Sequence, residues 1–310
     1  MKIIKNKNAT NLLLIFSVLV LILVFYLIYK HTKESFTEYN NIELPTYAFG
    51  NVLSSYFYYL TKAYSENKNL YITNYNNSHF KELRKLLPRE IIIYNKYVYD
   101  SNSNDLNSVS PASIWNKIKL LQNIIPILKD NILFKKNKKY SKDCIIHYRC
   151  SDIPFVRQHG YHLLKFKWYK NAIKECFKKT SINKIYILNC NNHLSNDKNK
   201  NKCIEWCDLL INYINSELNI KAIQMCNNIE KDILYMLNSK CLISSGSSLS
   251  FSLGMLSDNI FVYPSYSTDY ERRGCTDKQL RKNSICLEKD FIKHKGVKDY
   301  YKLDNSLFYT

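Results

Sequence analysis

The chain has 310 residues and a formal net charge of +19, long enough for one large or two small domains with a sizeable core. Only seven of the 45 basic residues are arginine, and the lysines are scattered rather than gathered into a stripe with interleaved aromatics. That pattern excludes a nucleic-acid binder as the first reading and leaves the charge a secondary effect on anionic substrates or membrane surfaces.

The first element is the uncharged run Leu12 to Tyr29, LLLIFSVLVLILVFYLIY. As a helix rising about 1.5 Å per residue it spans roughly 27 Å, against a bilayer core of about 30 Å. A cleaved leader is the competing reading. The run exceeds the usual apolar core of about 7–15 residues in such leaders, and Lys30-His31-Thr32-Lys33 offers no small-residue cleavage site. Lys2, Lys5 and Lys7 precede the run and Lys30 and Lys33 follow it, a slight bias toward a cytosolic N-terminus. The expected order is a cytosolic tail over 1–11, a transmembrane anchor over 12–29 and a polar stem over 30–44.

Beyond the stem, Gly50-Asn51 reads as a turn, 52–65 as a helix, and 69–73 and 90–94 as strands. The apolar spacing of Ile114, Ile118, Leu121 and Ile125 predicts a helix over 113–128. The basic stretch 135–142 (KKNKKYSK) is a domain boundary. After it, strands are expected over 143–148, 184–189, 220–225, 241–244 and, last, 260–263. Helices are expected between them over 166–178, 202–215, 229–238 and 248–256. This alternation implies a parallel α/β sheet. The whole reads as an α/β chain of two halves, 45–140 and 141–310, with a crevice between them. All ten cysteines lie between Cys144 and Cys286. In a lumenal domain some would pair, with a connectivity that sequence does not give. Cys203 and Cys207 stand at helical spacing with His193 upstream, but no fourth zinc ligand is in sight, so buried or free thiols are expected.

Three segments carry chemistry. His147-Tyr148-Arg149-Cys150-Ser151-Asp152 follows the 143–148 strand, and ligands of open α/β sheets bind beyond the carboxyl ends of strands. His147 and Arg149 share one face there, and the arginine fork suits two phosphate oxygens; a structural Arg–Asp pair is the alternative. Ser244-Ser245-Gly246-Ser247-Ser248-Leu249-Ser250 joins a strand to a helix, where small hydroxyl residues cap the helix or leave its N–H groups to phosphate. Phe49-Gly50-Asn51 is an ordinary turn, or a backbone loop approaching a ligand at the crevice.

In this order the three resemble the fucosyltransferase superfamily with the H-x-R motif, the α1,2-, α1,6- and protein O-fucosyltransferases. HYRCSD is similar to the strand-ending H-x-R segment, ISSGSSLSFSLGML (243–256) to the serine segment, and YAFGNVLSSYFYYLTKAYSENKNLYI (47–72) to the Gly-Asn loop, helix and strand of the α1,2 branch. The resemblance implies a GT-B fold, two Rossmann-like domains facing a crevice: 45–140 on the acceptor side and 141–310 binding the nucleotide sugar. It implies that Arg149 stabilises the leaving GDP, that His147 seats the nucleotide, that Ser247, Ser248 and Ser250 bind phosphate, and that Gly50 and Asn51 line the crevice. Many relatives carry a second arginine where this chain has Cys150, and the aromatic pair usual after the serine segment is replaced by Phe251-Ser252-Leu253.

The expected function is inverting transfer of fucose from GDP-fucose to a glycan or protein hydroxyl. No D-x-D occurs in the chain, so the diphosphate charge falls to Arg149 rather than to a metal, and no cofactor beyond the donor is implied. Asp152 is the nearest general base, ahead of Glu230 and Asp232. Expected partners are the donor, the acceptor glycan or glycoprotein, and the membrane through 12–29, with no nucleic acid. The expected location is the Golgi or ER as a single-pass type II protein, in host secretory membranes if the chain is viral. A glycosyltransferase for another nucleotide sugar and a degenerate, membrane-tethered binding protein are the alternatives. Asn76-Asn77-Ser78 and Asn8-Ala9-Thr10 are glycosylation sequons on opposite sides of the anchor.

Overall fold

The computed structural model describes residues 15–27, 39–44, 49–66, 68–76, 84, 87–91, 125–126, 129, 138, 141–150, 163–189, 197–265, 282–288, 290–292 and 302–309. Residues 15–27 form helix α1, whose apolar side chains are all exposed, Phe16 at 68% and Phe25 at 67%. Among the described residues no helix is long and apolar enough to cross a membrane; positions 12–14 and 28–29 of the expected anchor lie outside them.

A small sheet follows, built from β1 (Tyr39–Ile42), β2 (Asn69–Ile72) and β3 (Glu90–Ile91) in the order β1-β2-β3. β1 runs parallel to β2, and β3 antiparallel. The stretch expected as stem thus ends in folded chain, with Ile42 and Leu44 buried. The YNNI sequence of β1 has no apolar alternation; what makes it a strand is the β2 edge beside it, which pairs Tyr39 through Ile42 with Asn69 through Ile72. Helix α2 (Phe49–Ser65) is buried around most of its circumference, with Leu53, Tyr56, Phe57 and Ala63 fully enclosed, as expected of a helix packed between two layers. The expected turn at Gly50-Asn51 is instead the opening of this helix. Packing of the whole helix outweighs the roughly 1 kcal/mol that a helical glycine costs. The helix expected over 113–128 lies almost wholly outside the described residues.

The second half gives a six-stranded sheet: β4 (Cys144–His147), β5 (Lys184–Leu188), β6 (Lys221–Met225), β7 (Cys241–Ser244), β8 (Ile260–Pro264) and β9 (Ser284–Leu287). All neighbours are parallel, in the order β6-β5-β4-β7-β8-β9. Counted from β4 this is 3-2-1-4-5-6, the order of the doubly wound nucleotide-binding sheet. The intervening helices are α3 (Phe166–Phe177), α4 (Asp197–Leu218), α5 (Ile229–Asn238) and α6 (Ser248–Leu256). β9 is an addition to the strands expected from sequence.

The side-chain alternation explains the layering. Cys144, Ile146, Ile185, Ile187, Cys241, Ile243 and Val262 face α3 and α4. Ile145, Leu188, Leu242, Phe261 and Tyr263 face α5, α6 and α2. Strands covered on both sides read as continuous apolar runs, and CIIH and CLIS do. A terminal 3-10 turn, Asn305–Phe308, closes the α3–α4 face by stacking Phe308 on Phe166 at 4.7 Å and donating Trp206 Nε1–H to Asn305 Oδ1 at 3.0 Å.

Candidate anion site at the strand-order reversal

The sheet reverses its order between β4 and β7, and the crevice beyond the carboxyl ends of those two strands is where such sheets bind ligands. β4 ends in His147, β7 ends in Ser244, and the two are register partners. The HYRC and serine segments, about a hundred residues apart in sequence, therefore meet at one edge.

Ser245 joins them. Its hydroxyl donates to the His147 carbonyl at 2.6 Å and accepts the Arg149 backbone N–H at 2.9 Å. Sequence reading passed over Ser245 in favour of its neighbours, because only the register shows that it faces β4. Ser250 is completely buried and turns its hydroxyl inward, to Ser244 Oγ at 2.7 Å and the Ser247 carbonyl at 3.3 Å, so its side chain is engaged within the turn. Ser252 likewise returns its hydroxyl to the Ser248 carbonyl. Gly246 takes φ +88°, a left-handed turn that glycine adopts without penalty. Ser247 then occupies the cap position of α6 in extended conformation, and its side chain makes no capping hydrogen bond. The first-turn N–H groups, Ser248 among them, have no partner one turn back by the geometry of any helix. With the helix dipole behind them, they form an end suited to an anion.

His147 is half-buried, with its Nδ1 sealed from solvent and without a hydrogen-bond partner among the described residues. Burial, and then the neighbouring Arg149 guanidinium, push its imidazole down to about 4. At neutral pH, among the described residues, the site thus sets the Arg149 guanidinium beside a neutral imidazole. Asp152 lies outside the described residues. Gly50 and Asn51 open α2, which packs along α6. Of the weaker base candidates, Asp232 is buried near the start of α5 and accepts Asn227 Nδ2–H at 3.0 Å; burial raises its carboxyl, with Asn227 opposing.

Of the two cysteines expected as buried or free thiols, Cys207 is one and Cys203 is not. Cys150 and Cys203 form a disulfide across 53 residues, with Cα atoms 5.9 Å apart, and Cys176 and Cys241 form another across 65 residues, with Cα atoms 6.2 Å apart. Cys226 and Cys286 are also disulfide-bonded, whereas Cys144 and Cys207 are buried free thiols. These pairings depend on which helix covers which strand, and spacing along the chain does not report that. The sulfurs of Cys144, Cys176 and Cys241 lie within 4.8 Å of one another at the edge of the sheet opposite the anion site. Two of the three, Cys176 and Cys241, are joined in a disulfide and so offer no thiolate, and burial and the Asp143 carboxylate hold the Cys144 thiol far above its ordinary range. No family model, no curated protein and no solved structure matches the chain.

Proposed function

We propose that the chain is a membrane-anchored, inverting glycosyltransferase that moves fucose from GDP-fucose to a hydroxyl of a glycan or protein. The carrying observation is the meeting of the Arg149 strand end with the uncapped start of α6 at the reversal of a 3-2-1-4-5-6 sheet. A departing nucleoside diphosphate needs positive charge and N–H donors more than covalent chemistry. Arg149 supplies the charge, the Ser248–Ser250 turn supplies the donors, and a neutral His147 accepts or donates a hydrogen bond to the nucleotide without competing for phosphate. Asp152 is assigned as the base that takes the acceptor proton. In the finer fold reading, β4–β9 form the nucleotide half of a GT-B enzyme, and β1–β3 with α2 belong to the acceptor half.

The anchor is part of the same proposal. Thirteen consecutive helical residues, twelve of them with exposed apolar side chains, need lipid around them rather than water, and Leu12 to Tyr29 as one helix supplies the span. Disulfides in the following domain fit an oxidising compartment, hence a lumenal domain, type II topology and a Golgi or ER location. Asn76 lies exposed in a turn on that side, and glycan attached there rather than at Asn8 reports this orientation.

The test is thermal unfolding of the full chain in mild detergent with GDP or UDP. GDP at a hundred times its dissociation constant stabilises by about 2.7 kcal/mol, a rise of roughly 4 °C for a chain of this length. Arg149→Ala should abolish that rise and the release of GDP from GDP-fucose. A response to UDP alone moves the donor to another nucleotide sugar. No response to either nucleotide, or an Arg149→Ala variant with full turnover, overturns the proposal.

A further inference from the structure

We propose that the Cys150–Cys203 disulfide is a positioning cross-link for Arg149, so that anion binding at the β4–β7 edge depends on the redox state of this pair. The inference rests on the reading of that edge as a nucleoside-diphosphate site. Arg149 sits just past the end of β4, where the strand ladder stops. On its N-terminal side the backbone is held by Tyr148 N–H to the Leu188 carbonyl at 3.0 Å, with the Tyr148 ring buried edge-on against Tyr169. At Arg149 itself the backbone bond is to Ser245 Oγ. On the C-terminal side the next residue is covalently tied to Cys203.

The other end of the tie is rigid. Cys203, Trp206, Cys207, Leu210 and Ile214 are all completely buried along α4, so the helix cannot shift without opening the core. Asn189, buried at the end of β5, sets its Nδ2 3.5 Å from the Cys203 carbonyl. The disulfide thus fixes to the α4 face of the sheet a chain that has just left β4. A backbone held from both sides leaves only the Arg149 side chain to order when it meets a diphosphate. The Cys176–Cys241 disulfide joins α3 to the opposite end of β7 and serves as an internal control for mere loss of stability.

Reduction by dithiothreitol passes two electrons and two protons to the disulfide. It leaves thiols on Cys150 and Cys203 and the reagent as its cyclic disulfide. The test measures GDP affinity of the full chain for four forms: wild type, Arg149→Ala, Cys150→Ser with Cys203→Ser, and all three substitutions together. In the cross-linked background Arg149→Ala should weaken GDP roughly 10- to 100-fold, the range of charge-assisted hydrogen bonds. In the background without the cross-link it should weaken GDP less than about threefold. A loss of stability alone would weaken GDP equally with and without Arg149. Dithiothreitol on wild type should reproduce the Cys150/Cys203 variant, and should still weaken GDP in a Cys176→Ala, Cys241→Ala variant. Equal Arg149→Ala effects in both backgrounds overturn the inference, as does an unchanged affinity once mass spectrometry shows the Cys150–Cys203 pair reduced. If GDP binds none of the forms, the site reading fails separately. Hydrogen exchange at the Arg149 amide then decides the positioning role: reduction should speed it at least about tenfold as the bond to Ser245 loosens, and unchanged exchange overturns the inference.

Discussion

Burial and the Arg149 guanidinium push the His147 imidazole from its ordinary 6.5 down to about 4. Between those two values the unfolded chain holds a proton at this position that the folded chain does not. Stability contributed by the neutral imidazole is therefore complete above pH 6.5 and drains away as pH falls toward 4. A shift of this size corresponds to at most about 3 kcal/mol. Asp143 acts in a separate window. Burial alone would raise its carboxyl, but Lys240 at 2.6 Å and the Asn183 N–H outweigh that and lower it, so its contribution is lost only in stronger acid, below the ordinary 3.8. Urea titrations of wild type and His147→Gln from pH 7 to 4 should diverge, with the wild type losing about 2–3 kcal/mol more than the variant. Parallel curves would mean that His147 is solvated and that the neutral imidazole assigned to the site is wrong.

Among the elements, α6 shows how a local preference loses to packing. Alanine is better than glycine inside a helix by about 1 kcal/mol, so Gly254→Ala would stabilise an isolated α6. A Cβ at Gly254 would lie 2.3 Å from Phe261 Cε2, with two more ring atoms at 2.4 and 2.6 Å. Phe261 is completely buried, stacked on Tyr263 and edge-on to Phe251, so it has nowhere to retreat. Overpacking of this kind costs about 1–3 kcal/mol and more where nothing yields; the variant should melt lower than wild type, and a higher melting temperature would refute the tight α6–β8 contact. The glycine itself was plain in the sequence; the ring it must clear was not. α5, β7 and α6 were legible to the residue, because Asn228 caps α5 and accepts the Lys231 N–H, and CLIS is bounded by polar turns. α4 starts five residues earlier than expected, at Asp197, because DKNKN carries no apolar spacing to announce a helix. β1 and the disulfides were illegible for one reason: each is defined by a partner far along the chain, β2 for β1 and α4 for Cys150.

At the scale of the molecule, the two sheets are not independent bodies. One buried cluster runs from Ile42, Leu70 and Ile91 of the small sheet through Leu53, Tyr56, Phe57 and Leu60 of α2 to Phe251, Leu253 and Met255 of α6 and on to Leu242 and Phe261 of the large sheet. α2 is the shared layer, packed against α6 on one side and against β1 and β2 on the other. Removing the small sheet with α2 would expose the side of α6 that α2 covers, so each part depends on the other for its solvent shield. Unfolding with disulfides intact is therefore expected as a single transition. Leu53, with no exposed surface, tests this: Leu53→Ala should cost about 2–5 kcal/mol. The tryptophan signal, to which Trp168 and Trp206 contribute from the far face of the large sheet, should move with it. A denaturation curve that splits in two, or a Leu53→Ala midpoint change seen by circular dichroism and not by tryptophan fluorescence, would show that the small sheet and α2 fold apart from the large sheet. The anion edge would then be open to the relative motion of two separate domains.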